Sequence, residues 1–179
     1  MPSPSVIELV RDALSEDGGR LEVTVSGACM APLIRHGDRV SIAPVDPSTS
    51  PPGALLLAVE KDGTIENGEA AGEARLVCHR LLDRDGAGLV LGGDATRRRE
   101  LHAPEEVLGR VVAARRAGRR LGLEGLLWEL VGKSMARLRR RSPGRLAELL
   151  ATALAHGAAL AWHIATSAAE GEPYDPARG

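Results

Sequence analysis

The sequence contains no phenylalanine, and its aromatic residues are two tryptophans and one tyrosine. A hydrophobic core must therefore be built from leucine, valine, isoleucine and alanine. Acidic and basic residues nearly cancel at a formal net charge of -1, so overall charge argues neither for nor against a nucleic-acid partner. The arginine runs at 115–120 and 137–141 contain no aromatic residues that could stack on bases. We interpret both runs as solvated surface and expect no nucleic-acid partner.

Cysteine is also scarce, because Cys29 and Cys78 are the two that the chain contains. Two cysteines in 179 residues do not make a disulfide scaffold. The chain opens with MPSPSVIELVRDAL, in which no basic segment precedes an apolar run. That opening predicts no secretory signal. We therefore expect a cytoplasmic protein whose thiols stay reduced.

The composition, 44% hydrophobic and 26% charged, is sufficient for one medium-sized domain with a core and an appendage. Residues 6–14 place apolar side chains at helical spacing. Ser5 is positioned to cap this helix, and Gly18 and Gly19 end it. We assign residues 1–19 to an N-terminal helix.

Short apolar runs separated by Gly, Pro and Asp fill the next hundred residues, a texture typical of β-strands. The expected fold class is mostly β, a curled sheet or barrel over residues 20–116. The loop DPSTSPPG is stiffened by proline, and KDGTIENGEAAGEA is interpreted as a hairpin or loop. The predicted strands lie in LEVTVSG, DRVSIAPV, GALLLAVE, ARLVCHRLL, GLVLGG and VLGRVVAA.

Two helical patterns follow, LEGLLWELVGKSMARLRRR and SPGRLAELLATALAHGAALAWHIATSAA. Ser142 and Pro143 separate them in the order of a cap and a first helical residue. We predict a C-terminal helical hairpin over residues 117–170 and a disordered tail over 171–179. Residues 146–169 are long enough to span a bilayer and follow a basic segment, but they are mostly alanine. We favour their packing on the preceding helix or a partner over membrane association.

The segment VSGACMAPLIRHGDRVSI carries the candidate chemistry. A strand ends at Ser26, and Cys29 follows on the turn. Pro32 fixes the backbone there, and Gly37 and Asp38 lead into the next strand. A thiol on a tight turn at a sheet edge is accessible, and the free N–H groups around it can face a substrate carbonyl.

This segment resembles the box shared by signal peptidases and self-cleaving SOS repressors, the S24/S26 peptidases. Their box reads Ser-Met-x-Pro with Gly-Asp at a fixed distance. Here Cys29, Met30 and Pro32 stand at the corresponding spacing, followed by Gly37 and Asp38. Cysteine replaces the nucleophilic serine.

A second stretch extends the resemblance. The family delivers its general base, Lys or His, on a strand, usually followed by Arg, and has a later Gly-Asp turn. His79 and Arg80 match the His branch, and Gly93 precedes Asp94 at the turn. The middle strand departs from the family, because Gly53 is followed by alanine rather than aspartate.

The resemblance implies that Cys29 is the nucleophile, His79 the general base and Asp94 the residue that orients the imidazole. A thiol needs less help than a hydroxyl, and a neighbouring His can form a thiolate–imidazolium pair. Ser26 and the Cys29 amide are candidate oxyanion donors, and Met30 would pack beneath the turn. The family binds its substrate as an added β-strand. No cofactor is implied.

Strand alternation bears on the second cysteine. If His79 faces Cys29, Cys78 faces away, which argues against a disulfide between the two cysteines. We expect no metal site, because no paired Cys or His spacing is present and adjacent strand residues cannot both face one ion. His36 and His102 are interpreted as surface residues.

The leading hypothesis is a cytoplasmic cysteine endopeptidase that cuts a dedicated peptide, such as the leader of a ribosomally made natural product. The missing N-terminal anchor argues against export-linked cleavage. One alternative is a catalytically inactive peptide-binding module, which the missing aspartate after Gly53 favours. A second is a repressor-like protein that cuts itself, although no helix-turn-helix precedes the domain.

Overall fold

A computed structural model describes residues 5–15, 19–61, 65–66, 69–70, 74–96, 98–141 and five positions between 153 and 160. The chain is mostly β, as predicted, with one helix before the strands and one after them. Its elements are α1 (Val6–Ser15), β1 (Leu21–Thr24), β2 (Arg39–Ala43), β3 (Leu55–Lys61), β4 (Ile65–Glu66), β5 (Glu69–Ala70), β6 (Ala74–Asp85), β7 (Gly88–Gly92), β8 (Arg99–His102), a 3₁₀ turn (Pro104–Glu106), β9 (Val107–Arg116), β10 (Arg119–Gly122) and α2 (Leu126–Arg141).

Eight of the strands form one antiparallel sheet in the order β1-β2-β9-β3-β6-β7-β8, and β10 also pairs with β9. The sheet is open rather than closed into a barrel, with β1 at one edge and β8 at the other. β4 and β5 form a separate small hairpin within the polar excursion. Strand β6 pairs with β3 from Ala74 to Arg80, but its pairing with β7 begins only at Arg80. Among the described strands, the first half of β6 therefore has a free edge.

The core lies on both faces of the sheet because β3 is a central strand. Its unbroken apolar run suits burial on two sides. Alternate side chains enter different clusters, Leu57 the first core and Leu56 the second. The first core is Val10, Leu14, Met30, Leu33, Ile34, Val40, Ile42, Leu55, Leu57, Val59, Leu108, Val111, Ala114 and Leu123. The second core is Ala54, Leu56, Ala58, Leu81, Leu89, Leu91 and Val107.

Helix α1 covers the first core and begins at the predicted cap. The Ser5 hydroxyl accepts a hydrogen bond from the Glu8 amide at 3.3 Å, and the Glu8 carboxylate accepts one from the Ser5 amide at 2.7 Å. This reciprocal arrangement is a capping box, which satisfies amides left free in the first turn. On the opposite side of the helix, Val10 and Leu14 are buried in the first core.

Helix α2 packs on the sheet through glycine. A Cβ built on Gly132 would lie 2.7 Å from the Gly53 carbonyl oxygen, and one built on Gly53 would lie 2.0 Å from the Gly132 backbone. Gly53 also has a φ of +92°, a conformation that costs little only for glycine. The two glycines therefore set how closely the helix approaches the turn before β3.

The six predicted strands are confirmed as β1, β2, β3, β6, β7 and β9, but two further strands of the sheet were not predicted. One is β8, and the other is β10, which pairs with the end of β9. The run at 115–120 thus forms the turn and the adjoining strand ends of a β-hairpin. The second predicted helix and the tail lie mostly or wholly outside the described residues. In the part of the chain that the structure describes, no helix is long and apolar enough to cross a membrane.

Replacing Gly132 by alanine tests the helix contact. We expect Gly132→Ala to lower the free energy of unfolding by about 1–3 kcal/mol, because the added methyl meets backbone and not a flexible side chain. The intrinsic helix preference of alanine works in the opposite direction by about 1 kcal/mol. Urea unfolding measures the change. The matched control is Gly122→Ala, whose Cβ has no neighbour within 4 Å. Equal stability of the two variants would contradict the close helix contact.

Candidate active site

The turn that carries Cys29 is closed by two main-chain hydrogen bonds. The Gly37 amide donates to the Val25 carbonyl and the Val25 amide donates to the Asp38 carbonyl, both at 2.8 Å. Gly37 has a φ of +85°, which explains glycine at that position. Residues 26–36 are therefore held as one loop, which we call the nucleophile turn.

Asp38 fixes the end of the nucleophile turn by a buried ion pair. The side chain of Arg116 donates to both carboxylate oxygens, at 2.8 and 2.6 Å, and the Arg35 amide donates at 2.8 Å. Asp38 is 2% exposed. Beneath the turn, Met30 is buried in the first core. Asp38 and Met30 therefore hold the turn in place, and Met30 also borders the cavity in front of the thiol.

Cys29 is contacted from behind by the turn after β7. Its carbonyl oxygen accepts a hydrogen bond from the Ala95 amide at 2.7 Å. A Cβ on Gly93 would lie 2.6 Å from the same oxygen and 2.9 Å from the Cys29 Cβ. Glycine at position 93 thus allows the two turns to touch.

Helix α2 holds this supporting turn. The Arg139 guanidinium donates hydrogen bonds to the main-chain carbonyls of Gly93 and Thr96. The Ala95 amide that binds Cys29 lies between those two carbonyls in the chain. The appended helix is therefore connected to the candidate nucleophile through one turn.

A cavity of about 350 Å³ lies in front of Cys29. Its walls come from the end of β1 and the nucleophile turn, from the free edge of β6, and from the segment that enters β8. Cys29, Ser26, His79 and Glu100 all border it. Strand β1 is the other free edge, since β2 is its one partner among the described strands. Two strand edges that have no strand partner on the cavity side, among the described strands, therefore line one cavity, an arrangement that can accept an extended peptide.

His79 lies beside a carboxylate that the sequence did not single out. The imidazole is 6% exposed, and its Nδ1 is 3.3 Å from Oε2 of Glu100. The same oxygen is 3.4 Å from Nε2 of His102. Glu100 therefore stands between two imidazoles. His102 is buried at 3% exposure, so its interpretation as a surface residue was wrong.

Asp94 does not contact His79. Both of its oxygens accept hydrogen bonds from the guanidinium of Arg80, at 2.8 and 2.6 Å, and its side chain is fully buried. Arg80 also donates to the Gly53 carbonyl at 2.8 Å. The expectation that Asp94 orients the imidazole is corrected here, because the planar guanidinium uses both carboxylate oxygens. The carboxylate that faces His79 Nδ1 is that of Glu100.

Burial favours the neutral forms of both the Cys29 thiol and the His79 imidazole. Burial raises the pKa of Cys29, and the charges of Asp94 and Glu100 raise it further, against the main-chain amides of Cys29 and Met30 that face the sulfur. Burial also lowers the pKa of His79, although Glu100 opposes this. Both directions oppose the thiolate–imidazolium pair that the sequence analysis expects.

Cys78, on the free edge of β6, does not face in the direction that the sequence predicts. The Cys29 thiol donates to the Cys78 carbonyl oxygen at 3.7 Å. Among the described residues, it makes no hydrogen bond with His79. Cys78 and Leu76 pack against the first core together with Cys29, whereas Val77 packs against the second core. The prediction that Cys78 faces away from Cys29 was therefore wrong. Both cysteines are free thiols.

The remaining residues that the sequence singled out have simpler positions. His36 is exposed, as expected, and its Nδ1 is 2.9 Å from the Ser26 carbonyl oxygen. Ser26 is exposed at the cavity wall. Within the described ranges, no group of three or more His, Cys, Asp and Glu side chains is arranged to hold a metal ion.

Comparison with known proteins gives no match for this chain among family models, curated proteins or solved structures.

Alkylation across a pH range tests the resting protonation state. Because the pKa of Cys29 is raised, thiolate forms only above the ordinary thiol range, and we expect the iodoacetamide rate at Cys29 to keep rising above about pH 9. Cys78 should react still more slowly, since burial raises its pKa to about 12. Peptide mass spectrometry separates the two sites. A rate at Cys29 that levels off below about pH 8, and loses that plateau in His79→Ala, would instead establish an ion pair.

Removal of the Arg139 side chain tests the connection from α2 to the nucleophile turn. We expect Arg139→Ala to loosen the supporting turn and expose Cys29, so that its alkylation at about pH 8 accelerates about three- to tenfold; one unit of pKa is worth about tenfold in thiolate. Arg140 is the matched control, since it pairs at 3.0 Å with the exposed Asp83. Arg139→Lys should recover part of the slow rate. Equal alkylation rates in Arg139→Ala and Arg140→Ala would rule out this positioning role.

Proposed function

We propose that the protein is a cysteine endopeptidase with a signal-peptidase-like (S24/S26) fold that cleaves a dedicated peptide or leader sequence. One observation carries the proposal. Cys29 lies at a cavity between two free strand edges, and His79 with its Glu100 partner borders the same cavity. The box around Cys29 and the following His79-Arg80 pair supply the independent support from sequence.

The substrate binds as an extended strand between β1 and the free half of β6. Unpaired main-chain groups on those edges provide hydrogen bonds that do not depend on substrate sequence. The cavity between them gives specificity through the side chains that it accepts. Entry of the peptide displaces the Cys29 sulfur from its contact with the Cys78 carbonyl.

The reaction proceeds by general-base catalysis from a neutral pair. As the Cys29 sulfur attacks the scissile carbonyl, its proton passes to His79, and Glu100 stabilises the imidazolium through the Nδ1 side. The amides of Cys29 and Met30, with Ser26 beside them, stabilise the oxyanion. His79 then protonates the leaving amine as the C–N bond breaks. Water hydrolyses the resulting thioester and restores the thiol.

A raised thiol pKa is compatible with this order of events. A protein that kept a permanent thiolate would react with many electrophiles, whereas a neutral thiol reacts once a substrate has completed the site. We also propose a cytoplasmic location, where reducing surroundings keep both free thiols reduced.

A catalytically inactive peptide-binding module is the second candidate. It is favoured by one observation, the contact of the Cys29 sulfur with a main-chain carbonyl instead of with His79. In that case the same two strand edges bind a peptide that is never cut. The cysteine then serves as a small buried residue of the turn.

A peptide electrophile distinguishes the two functions. We expect a peptidyl chloromethyl ketone with alanine at its reactive end to label Cys29 and spare Cys78, as measured by intact and peptide mass. His79→Ala should slow labelling about 100-fold or more. Glu100→Gln should slow it about tenfold. Its matched control, Glu105→Gln at an exposed position, should leave the rate unchanged.

Peptide binding to a variant without the Cys29 thiol tests the binding-module alternative. Cys29→Ala removes the thiol but keeps the strand edges, so a fluorescent peptide chosen for binding to the wild-type protein should still bind the variant under either function. Binding by both proteins, with labelling of the wild type no faster than that of a small thiol and indifferent to His79→Ala, would refute the peptidase and support the binding module.

A further inference from the structure

The two cysteines of the chain meet at the cavity although they are 49 residues apart. Cys29 comes from the nucleophile turn and Cys78 from the free half of β6. Both thiols are free, both line the cavity, and both pack against the first core. Nothing in the proposed cleavage reaction uses the Cys78 thiol.

The contact places the pair within reach of a covalent bond. The Cys29 sulfur is 3.7 Å from the carbonyl oxygen of Cys78. Covalent geometry keeps that oxygen within about 3 Å of its own Cα. The sulfur of Cys29 is therefore within about 7 Å of the Cα that carries the second thiol. Both cysteine side chains also pack against the first core, on one face of the sheet, so rotation of the two side chains is the movement that would join them.

We propose that Cys29 and Cys78 form a reversible intramolecular disulfide when the protein meets a hydroperoxide, and that this bond switches the site off. The regulatory half of this inference rests on the proposed function, while the disulfide itself does not. The bond removes the nucleophile and ties the nucleophile turn to the edge of β6. A peptide strand can then no longer enter between β1 and β6.

The chemistry proceeds in two displacements. The Cys29 sulfur attacks one peroxide oxygen, the O–O bond breaks, and Cys29 becomes a sulfenic acid as water or an alcohol leaves. The Cys78 sulfur then attacks the Cys29 sulfur, the S–O bond breaks and a second water leaves. Two thiols lose two electrons and two protons in total, and the hydroperoxide is reduced.

The surroundings assign the two roles. Both thiols are half-buried, but Cys29 has main-chain amides facing its sulfur, which favour its thiolate and make it the site of first attack. Cys78 has the higher pKa, about 12, because burial and the neighbouring Cys29 both disfavour its thiolate. It is therefore the resolving thiol, which reacts only once a sulfenic acid is beside it.

The experiment uses the full chain, reduced and then titrated with hydrogen peroxide at about pH 8, near the ordinary thiol pKa. We expect free thiols to fall from two to none, a cross-linked pair of peptides containing Cys29 and Cys78, and a monomer on a non-reducing gel. Dithiothreitol should restore both thiols. Cys78→Ser should instead accumulate a sulfenic acid at Cys29 that dimedone traps. Overoxidation of Cys29 with Cys78 still reduced in the wild type, or only intermolecular disulfides, would overturn the proposal.

The peptide electrophile separates this inference from the proposed function. The peptide map detects the disulfide whether or not the reduced protein is a peptidase. If the disulfide forms and the reduced protein shows no His79-dependent labelling, the disulfide stands and the peptidase fails. If the protein is labelled at the same rate before and after peroxide treatment, the switch fails and the peptidase stands.

Discussion

The buried ion pair between Arg80 and Asp94 is the interaction on which the rest of the site depends. Both side chains are almost wholly excluded from solvent, so neither charge is tolerable without the other. Removing one partner of such a pair costs about 3–5 kcal/mol. The same guanidinium binds the Gly53 carbonyl, and Gly53 is where α2 packs. Arg80 thus fixes the relative positions of strand β6, the turn behind Cys29 and the Gly53 backbone on which helix α2 packs.

The second buried ion pair, Asp38 with Arg116, plays the corresponding part on the other side of Cys29. In both cases glycine permits a turn, and the buried aspartate after it binds an arginine. The two Gly-Asp pairs of the sequence therefore supply the frame of the site. The candidate catalytic groups Cys29, His79 and Glu100 stand on three separate segments between those anchors.

Sequence reasoning found the strands whose inward positions are apolar and missed those whose inward positions are polar. β8 presents Glu100 and His102 to the interior, and β10 lies inside an arginine run, so neither shows an apolar alternation. The motif located Cys29 and His79, but the choice of Glu100 over Asp94 depends on which cation each carboxylate meets in three dimensions. The direction in which Cys78 faces was predicted wrongly because the site lies at an edge of β6. At such an edge, neighbouring residues from both faces of the strand can border one cavity. The protonation states follow from burial, which the sequence pattern does not report.

The contact between Asp38 and Arg116 spans 78 residues of chain. Contacts of such long sequence separation form late, because the loop that they close costs entropy before any packing repays it. On the ribosome, the nucleophile turn is complete only after β9 has emerged and docked. Until then the Cys29 thiol has neither its frame nor its cavity. Under the proposed function, a growing chain with this order of assembly has no assembled site that could cleave it or its neighbours during synthesis.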